Sequence, residues 1–352
     1  MWTRLAPFFA AALAALAFFA LSATQALATH VQCGDVITQD TTLDSDLLNC
    51  PGAGVVIGAD NVTLDLNGHV IQGNGLGTLS SCEVDAGVAN GAQFGCPPLL
   101  EGHDGVTINN GVVRDFRVGV SFDGASFGKV HGLTVADALQ GISLQGGARG
   151  NLVTRNSISR TQDAISLIEA GPDNRIEQNS AFDNRSVFTG AGIYIHGSAD
   201  GNRIERNLLA GNDVGLFASD AFGVTLIKGN SVLDNDVGIW LIESQNKRIE
   251  GNHVLRSNGS PDRFTPGGDG ISVDDRGNEI VGNISSLNRD DGIEVTVHAD
   301  NTVARNHANR NGDLGIEAVV GVSGSGNRAK HNGNPAQCVP DYLCSTTGKP
   351  KV

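Results

Sequence analysis

The sequence predicts an all-β chain wound as a right-handed, single-stranded parallel β-helix of roughly eleven coils, and three observations predict it. First, a glycine or its substitute followed by an aliphatic residue recurs at Gly119, Gly141, Ala164, Gly192, Gly215, Gly238, Gly270, Gly292 and Gly315, in steps of 22 or 23 broken only by 28 and 32. Second, asparagines keep the same beat at Asn156, Asn179, Asn207, Asn230, Asn252, Asn283 and Asn306, and the two series jump together, so two coils carry insertions. Third, each unit holds only short β-type runs such as "GIWLI", parted by Asn and Gly, with no sustained helical period. A unit of that size cannot bury its apolar face alone; stacking on its neighbours does so. A right-handed winding follows from the chirality of parallel crossovers. With strands roughly 4.8 Å apart, eleven coils make a rod of about 50 Å.

The ends read differently. Residues 1–28, "MWTRLAPFFAAALAALAFFALSATQALA", join a basic start, an apolar run and a small-residue ending, the pattern of a secretory signal peptide cleaved after Ala28. The exported chain divides into an N-terminal cap at 29–56, a β-helix at 57–332 with an insertion loop at 73–104, and a C-terminal cap and tail at 333–352. No second hydrophobic span follows, so no membrane association is expected once the signal is removed, and the chain is expected to be a secreted or periplasmic monomer. All six cysteines lie in the exported part, where an even number favours bridges. Solenoid contacts run only between adjacent coils, which separates Cys338 and Cys344 from the other four. The pairing adopted is Cys33 with Cys50, Cys82 with Cys96, and Cys338 with Cys344, the first and last tying the ends of the rod. Removing Arg4 with the signal leaves 23 basic against 38 acidic residues, or −15. Nucleic acid, which needs clustered Lys and Arg, is excluded on that balance. Polyanionic sugars are disfavoured by it as well.

Side chains alternate along a strand, so the residue two after each repeat glycine faces out. Reading that column gives Ser121, Ser143, Ser166, Tyr194, Phe217, Trp240, Ser272, Glu294 and Glu317. Three consecutive aromatics in a chain with 5% aromatic residues suggest a platform for sugar rings; packing beneath a loop is the structural alternative. Carboxylates crowd the next coils. Asp269 and the pair Asp290/Asp291 precede the glycines of adjacent coils, and Glu294 follows; closely placed acids take different protonation states, as glycoside hydrolysis requires. The alternative is turn chemistry, since Asp213 and Asp236 occupy the same neighbourhood in coils without other site features. In "GIYIHGS", Tyr194 and His196 face out together. Insertions after Phe182 and Arg256 flank the column and carry Arg185 and Arg263.

These coils, with the opening "CGDVIT…LLNCPGAGVVIGADNVTLDLNGHVIQG", resemble right-handed parallel β-helix proteins of the pectin lyase-like superfamily, especially NosD-type secreted proteins. The resemblance spans roughly Cys33 to Asn332. The single Asp one coil before an Asp-Asp pair resembles the catalytic carboxylates of polygalacturonases, although that family's Asn-Thr is Gly267-Gly268 here and its Gly-His-Gly is Asp313-Leu314-Gly315. Tyr194 with His196 is similar in residue type to the proton-transferring pair of alginate lyases and mannuronan epimerases, without the epimerases' Asp-Pro-His. NosD-type relatives are linked to copper-site maturation, but the exported chain has no methionine and its histidines are scattered, so copper is disfavoured.

The function expected is therefore binding of a polysaccharide, and its processing by a hydrolase, lyase or epimerase reaction. Asp269, Asp290, Asp291 and Glu294 are the candidate catalytic residues; Tyr194, His196, Phe217, Trp240 and Arg263 are candidates for substrate binding. No cofactor is required, with Ca2+ the ion that the acids would accept. A non-catalytic glycan-binding or surface protein is the alternative, and a copper-maturation accessory the third reading.

Overall fold

The structure is a computed structural model describing residues 30–75, 85–91, 102–187, 189–197, 200–259 and 266–344. The expected signal peptide, Cys82, Cys96 and Arg263 lie outside the described residues. Each turn contributes three short strands, and equivalent strands stack in parallel into three ladders. The first ladder runs from Asp35–Ile37 to Cys338–Val339 through twelve successive pairings. The second begins at Thr41–Thr42 and reaches Thr302–Ala304; the third begins at Leu47–Cys50 and reaches Arg328–Lys330. Twelve pairings are twelve turns, one more than the repeat count suggests. The first turn, Asp35–Cys50, pairs like the rest: Gly34 aligns with Gly54, Gly87 and Gly119, but Asp35 stands where later coils place an aliphatic residue.

The core is built from the aliphatic residue one after each repeat glycine. Val120, Ile142, Ile165, Ile193, Leu216, Ile239, Ile271, Ile293 and Ile316 are all fully buried, one above the next. Each contributes about 1.5–3 kcal/mol of transfer free energy. The glycine beside them is required by space, not by φ. A Cβ at Gly215 would lie 2.4 Å from Val232 Cγ1 and 2.6 Å from the carbonyl oxygen of Gly238.

Asparagine forms three ladders where the sequence reading followed one. In the series Asn156 to Asn306, each Nδ2 donates to the Oδ1 of the next Asn and to a carbonyl of the preceding coil; Asn230, for instance, donates to Asn252 at 2.9 Å and to Ile204 at 3.0 Å. A second series links Asn184, Asn212 and Asn235, and resumes with Asn288, Asn311 and Asn332. A third links Asn151, Asn174 and Asn202 and resumes at Asn278. The ladder asparagines are not the residues with positive φ. Those are the residues just before them, such as Arg155, Gln178 and Arg206, which free the Asn side chain to point inward. Lys247 stands in a gap of the third series. Its buried Nζ donates to the carbonyls of Ala221, Gly223 and Gln245, replacing an Asn amide.

Disulfides Cys33–Cys50 and Cys338–Cys344 tie the two ends, as expected. Among the described residues no helix is long and apolar enough to cross a membrane.

Candidate active site on the first face

Alternation after the buried aliphatic column sets two outward columns on the first ladder, and a break in alternation at the repeat glycine adds a third. The middle one runs Ser121, Ser143, Ser166, Tyr194, Phe217, Trp240, Ser272, Glu294, Glu317 in unbroken register. Immediately before each repeat glycine a second column carries Gln140, Asp163, Ala191, Val214 and Val237, then Asp269 and Asp291. Beyond lies a third, with Asp123, Gln145, Ile168, His196, Ser219 and Ile242. Together they divide the face into a polar stretch, an aromatic stretch and an acidic stretch.

In the polar stretch, the hydroxyls of Ser121, Ser143 and Ser166 are buried without a hydrogen-bond partner. Beside them Asp163 is nearly buried. Burial pushes its carboxyl up to about 7, against the hydrogen bonds it accepts from Ala191 N–H and Gln162. Sequence reasoning passed over Asp163 because its repeat has Ala164 in place of glycine, yet "QDAISL" has the pattern of "GDGISV".

The aromatic rings stack on one another: Tyr194 on Phe217 with centroids 5.4 Å apart, Phe217 on Trp240 at 4.8 Å, with interplanar angles of 22° and 24°. Rings this close and this parallel must overlap their faces, because coplanar neighbours at such spacing would collide. Trp240 also packs on Val214 and Val237 and is only 8% exposed. This corrects the expectation of three exposed rings. Val214 and Val237 wall the column in, so the platform offers ring edges, the outer face of Tyr194 toward Ser166 and that of Trp240 toward Ser272. Tyr194 and His196 are brought together through Ser219, whose Oγ lies 3.0 Å from Tyr194 Oη and 3.3 Å from His196 Nδ1, with Asp220 3.7 Å from the same nitrogen. Burial pushes the Tyr194 phenol up; the Ser219 hydrogen bond opposes the shift, and the charges of Asp163 and Asp220 add to it. Ser219 was missed because an outward serine carries no mark of its own.

The acidic stretch holds four interleaved carboxyls. Asp269 accepts a hydrogen bond from Asp291 N–H at 3.0 Å, and Asp291 accepts one from Leu314 N–H at 2.7 Å. One oxygen of each aspartate thus closes the corner of the next coil. A glutamate lies beside each: Glu294 beside Asp269, and Glu317 beside Asp291. Burial, then the glutamate partner, holds both aspartates well above the usual carboxylate range. Burial and the neighbouring glutamate thus favour the protonated form of each aspartate. Glu294 also accepts from Ser272 Oγ at 3.2 Å. Asp290 points along the corner beside Asp313; burial, then the charges of Asp313 and Glu317, raises its carboxyl. The turn aspartates Asp213 and Asp236 stand two residues before their glycines, not one, and both approach Arg185 at 3.7 Å. That one-residue offset separates the paired acids from the turn acids. Among the described residues, the groups able to gather three ligand atoms within 4.8 Å are Asp290, Asp291 and Asp313, and Asp291, Glu294 and Glu317. Both are all-oxygen sets. Aromatic and acidic stretches adjoin, but Tyr194 and Glu294 stand four rungs apart, so they are not one reaction centre.

A family model described as periplasmic copper-binding protein (NosD) matches residues 78–260, and one described as right handed beta helix region matches residues 190–334. No curated protein matches. Among solved structures, a mutant of the periplasmic alginate epimerase AlgG is similar with a TM-score of 0.58 and 12% identity, over 84% of this chain and 76% of its own. The A-module of the mannuronan C-5 epimerase AlgE6 of Azotobacter vinelandii is similar with a TM-score of 0.53 and 15% identity, over 86% and 80%. XylC in complex with xylose, at 13% identity and a TM-score of 0.46, overlaps 59% of this chain but 42% of its own, so the chain spans less than half that neighbour's length. At these identities the likeness is one of fold. The NosD model covers more than half of the 352 residues, and the chain belongs to the NosD family.

Proposed function

We propose that the chain acts outside the cytoplasm, as a monomeric rod that binds a polysaccharide along its first face and processes it by acid–base chemistry at the interleaved carboxyls. The observation that carries this reading is the pairing of Asp269 with Glu294 and of Asp291 with Glu317. Each pair sets a buried aspartate, its carboxyl pushed up chiefly by burial, beside a more exposed glutamate. A proton donor beside an ionised carboxylate is the division of labour glycoside cleavage uses. Asp291 is assigned the acid role, with Glu294 or Glu317 as its partner carboxyl and Asp269 and Asp290 as the neighbouring acids. Tyr194, Phe217 and Trp240 hold a sugar by ring edges and the two open faces. Tyr194, Ser219 and His196 form a hydrogen-bonded relay able to pass a proton, the feature that favours a lyase or epimerase reaction at the aromatic stretch as the second reading. Similarity in fold to epimerases of alginate and mannuronan supports a glycan as the partner.

Copper, which the family's description names, does not fit the donors present. Met1 is the only methionine, and Cys33, Cys50, Cys338 and Cys344 are in disulfides. Among the described residues no histidine joins a three-ligand group. Soft or imidazole-rich sets suit copper; the all-oxygen sets here suit a hard cation such as Ca2+, which would take the place of the aspartate protons.

Purified protein offered a panel of neutral and acidic polysaccharides tests the proposal, reading new reducing ends and unsaturated products. One glycan is expected to yield products. Saturable binding with no product across the panel would leave a glycan-binding protein and overturn the catalytic assignment.

A further inference from the structure

Outside the first face, the corner after the third ladder carries a column of residues with positive φ: Asp137, Arg160, Asp183, Gly211, Asp234, Arg256, Leu287, Arg310 and His331, one per coil. The basic residues earlier in it meet acids one coil below. Arg160 forms two hydrogen bonds to Asp137, both at 2.8 Å, and Arg256 forms two to Asp234, at 2.6 and 2.7 Å. The last two coils break the rule. Arg310 has Leu287 below and His331 above, and among the described residues the side chains of Arg310, Lys330 and His331 make no ion pair or hydrogen bond.

These three line a cleft of about 360 Å³ with Ser286, Leu287 and Asn309, and none of the six lining residues is acidic. A cleft whose charged residues are all basic, in a chain of net charge −14, runs against the overall balance. Leu287 is a second anomaly. A branched aliphatic at φ 63° is strained, and it is 45% exposed, so neither backbone nor packing accounts for it. It gives the basic cleft one apolar wall.

We infer that this cleft binds a single anionic sugar unit. Arg310 and Lys330 take its carboxylate or sulfate group, Asn309 and Ser286 take hydroxyls, and Leu287 takes the apolar side of the ring. Arginine suits an oxyanion because its fork donates two parallel hydrogen bonds. The volume is at the lower end for small-molecule sites and larger than a bare oxyanion needs. The site is separate from the proposed reaction at the carboxyl pairs and stands or falls without it.

Calorimetric titration of the exported chain at low ionic strength with D-glucuronate, D-glucose and inorganic sulfate tests the inference. Glucuronate should bind saturably and more tightly than sulfate, and glucose should not bind. The double variant Arg310→Gln/Lys330→Gln, exposed in both positions and checked for an unchanged melting temperature, should weaken glucuronate by about tenfold or more. Leu287→Gly should weaken glucuronate and leave sulfate unchanged. Asp291→Asn, which removes the proposed proton donor of the first face, should leave all three as in the unaltered chain. Sulfate binding as tightly as glucuronate would refute a sugar site in favour of an anion site; no saturable binding, or equal affinity in the double variant, would refute both.

Discussion

The asparagine ladders and the outward columns of the first face obey the same vertical registry, yet the first repeat one residue type and the second change character every few rungs. In the ladders each amide serves the coil above and the coil below, so any change strands buried groups on both sides. On the outward face a substitution disturbs only what touches it, and the column passes from serine to aromatic to carboxylate. Repetition in this chain marks what holds the rod together; departure from repetition marks what the rod can do. Lys247 and Asp163 are the informative exceptions, a ladder position without its asparagine and an outward acid far from the acidic stretch.

If that contrast holds, ladder changes should cost most. Asn230→Ala removes the acceptor of Asn207 N–H and the donor to Ile204 and Asn252. A loss of about 2–4 kcal/mol is expected in urea unfolding, and a loss below 1 kcal/mol would break the comparison. Lys247→Met strands three carbonyls and should cost about 2–3 kcal/mol. Lys247→Asn should recover most of it, since Asn151 bonds the carbonyl of Ala125 at 2.9 Å from the equivalent slot.

The buried acids of the first face should show the opposite sign. The folded-state carboxyls of Asp163, Asp269 and Asp291 are raised, chiefly by burial. In the unfolded chain they ionise near 4. Their contribution is thus complete in acid and is lost as pH rises from about 4 through about 7 and beyond. The melting temperature should fall between pH 5 and pH 8. Asp291→Asn, which keeps an oxygen for Leu314 N–H, should be more stable than the parent at pH 8 by about 1–2 kcal/mol and equal at pH 4. Added Ca2+ should raise the melting temperature at pH 8 and not at pH 5, where protons hold the site. The smallest effect belongs to the exposed pair Asp234–Arg256, where Arg256→Ala should change stability by less than about 1 kcal/mol.

Much of the fold was legible because a period of 23 residues fixes which positions stack, and every outward residue from Ser121 to Glu317 stands where the count puts it. The first turn was not legible, because Gly34 is followed by Asp35 in place of the aliphatic residue that marks later coils. Nor was the inward turn of the asparagines, which depends on positive φ at residues such as Arg155 and Gln178 that no propensity singles out. Registry told which aromatics are neighbours, but not that Val214 and Val237 would bury Trp240. Asp269, Asp290, Asp291 and Glu294 were legible as a cluster. Glu317's pairing with Asp291 was not, because which carboxyls favour a proton depends on burial.

The account turns on Asp291 as a proton donor. Once the polysaccharide panel has yielded a substrate, the direct measurement is binding and turnover of that glycan by Asp291→Asn beside the parent chain. The account predicts unchanged affinity with turnover reduced by about two orders of magnitude or more. Turnover retained within about twofold, on a variant that binds and melts normally, would contradict it.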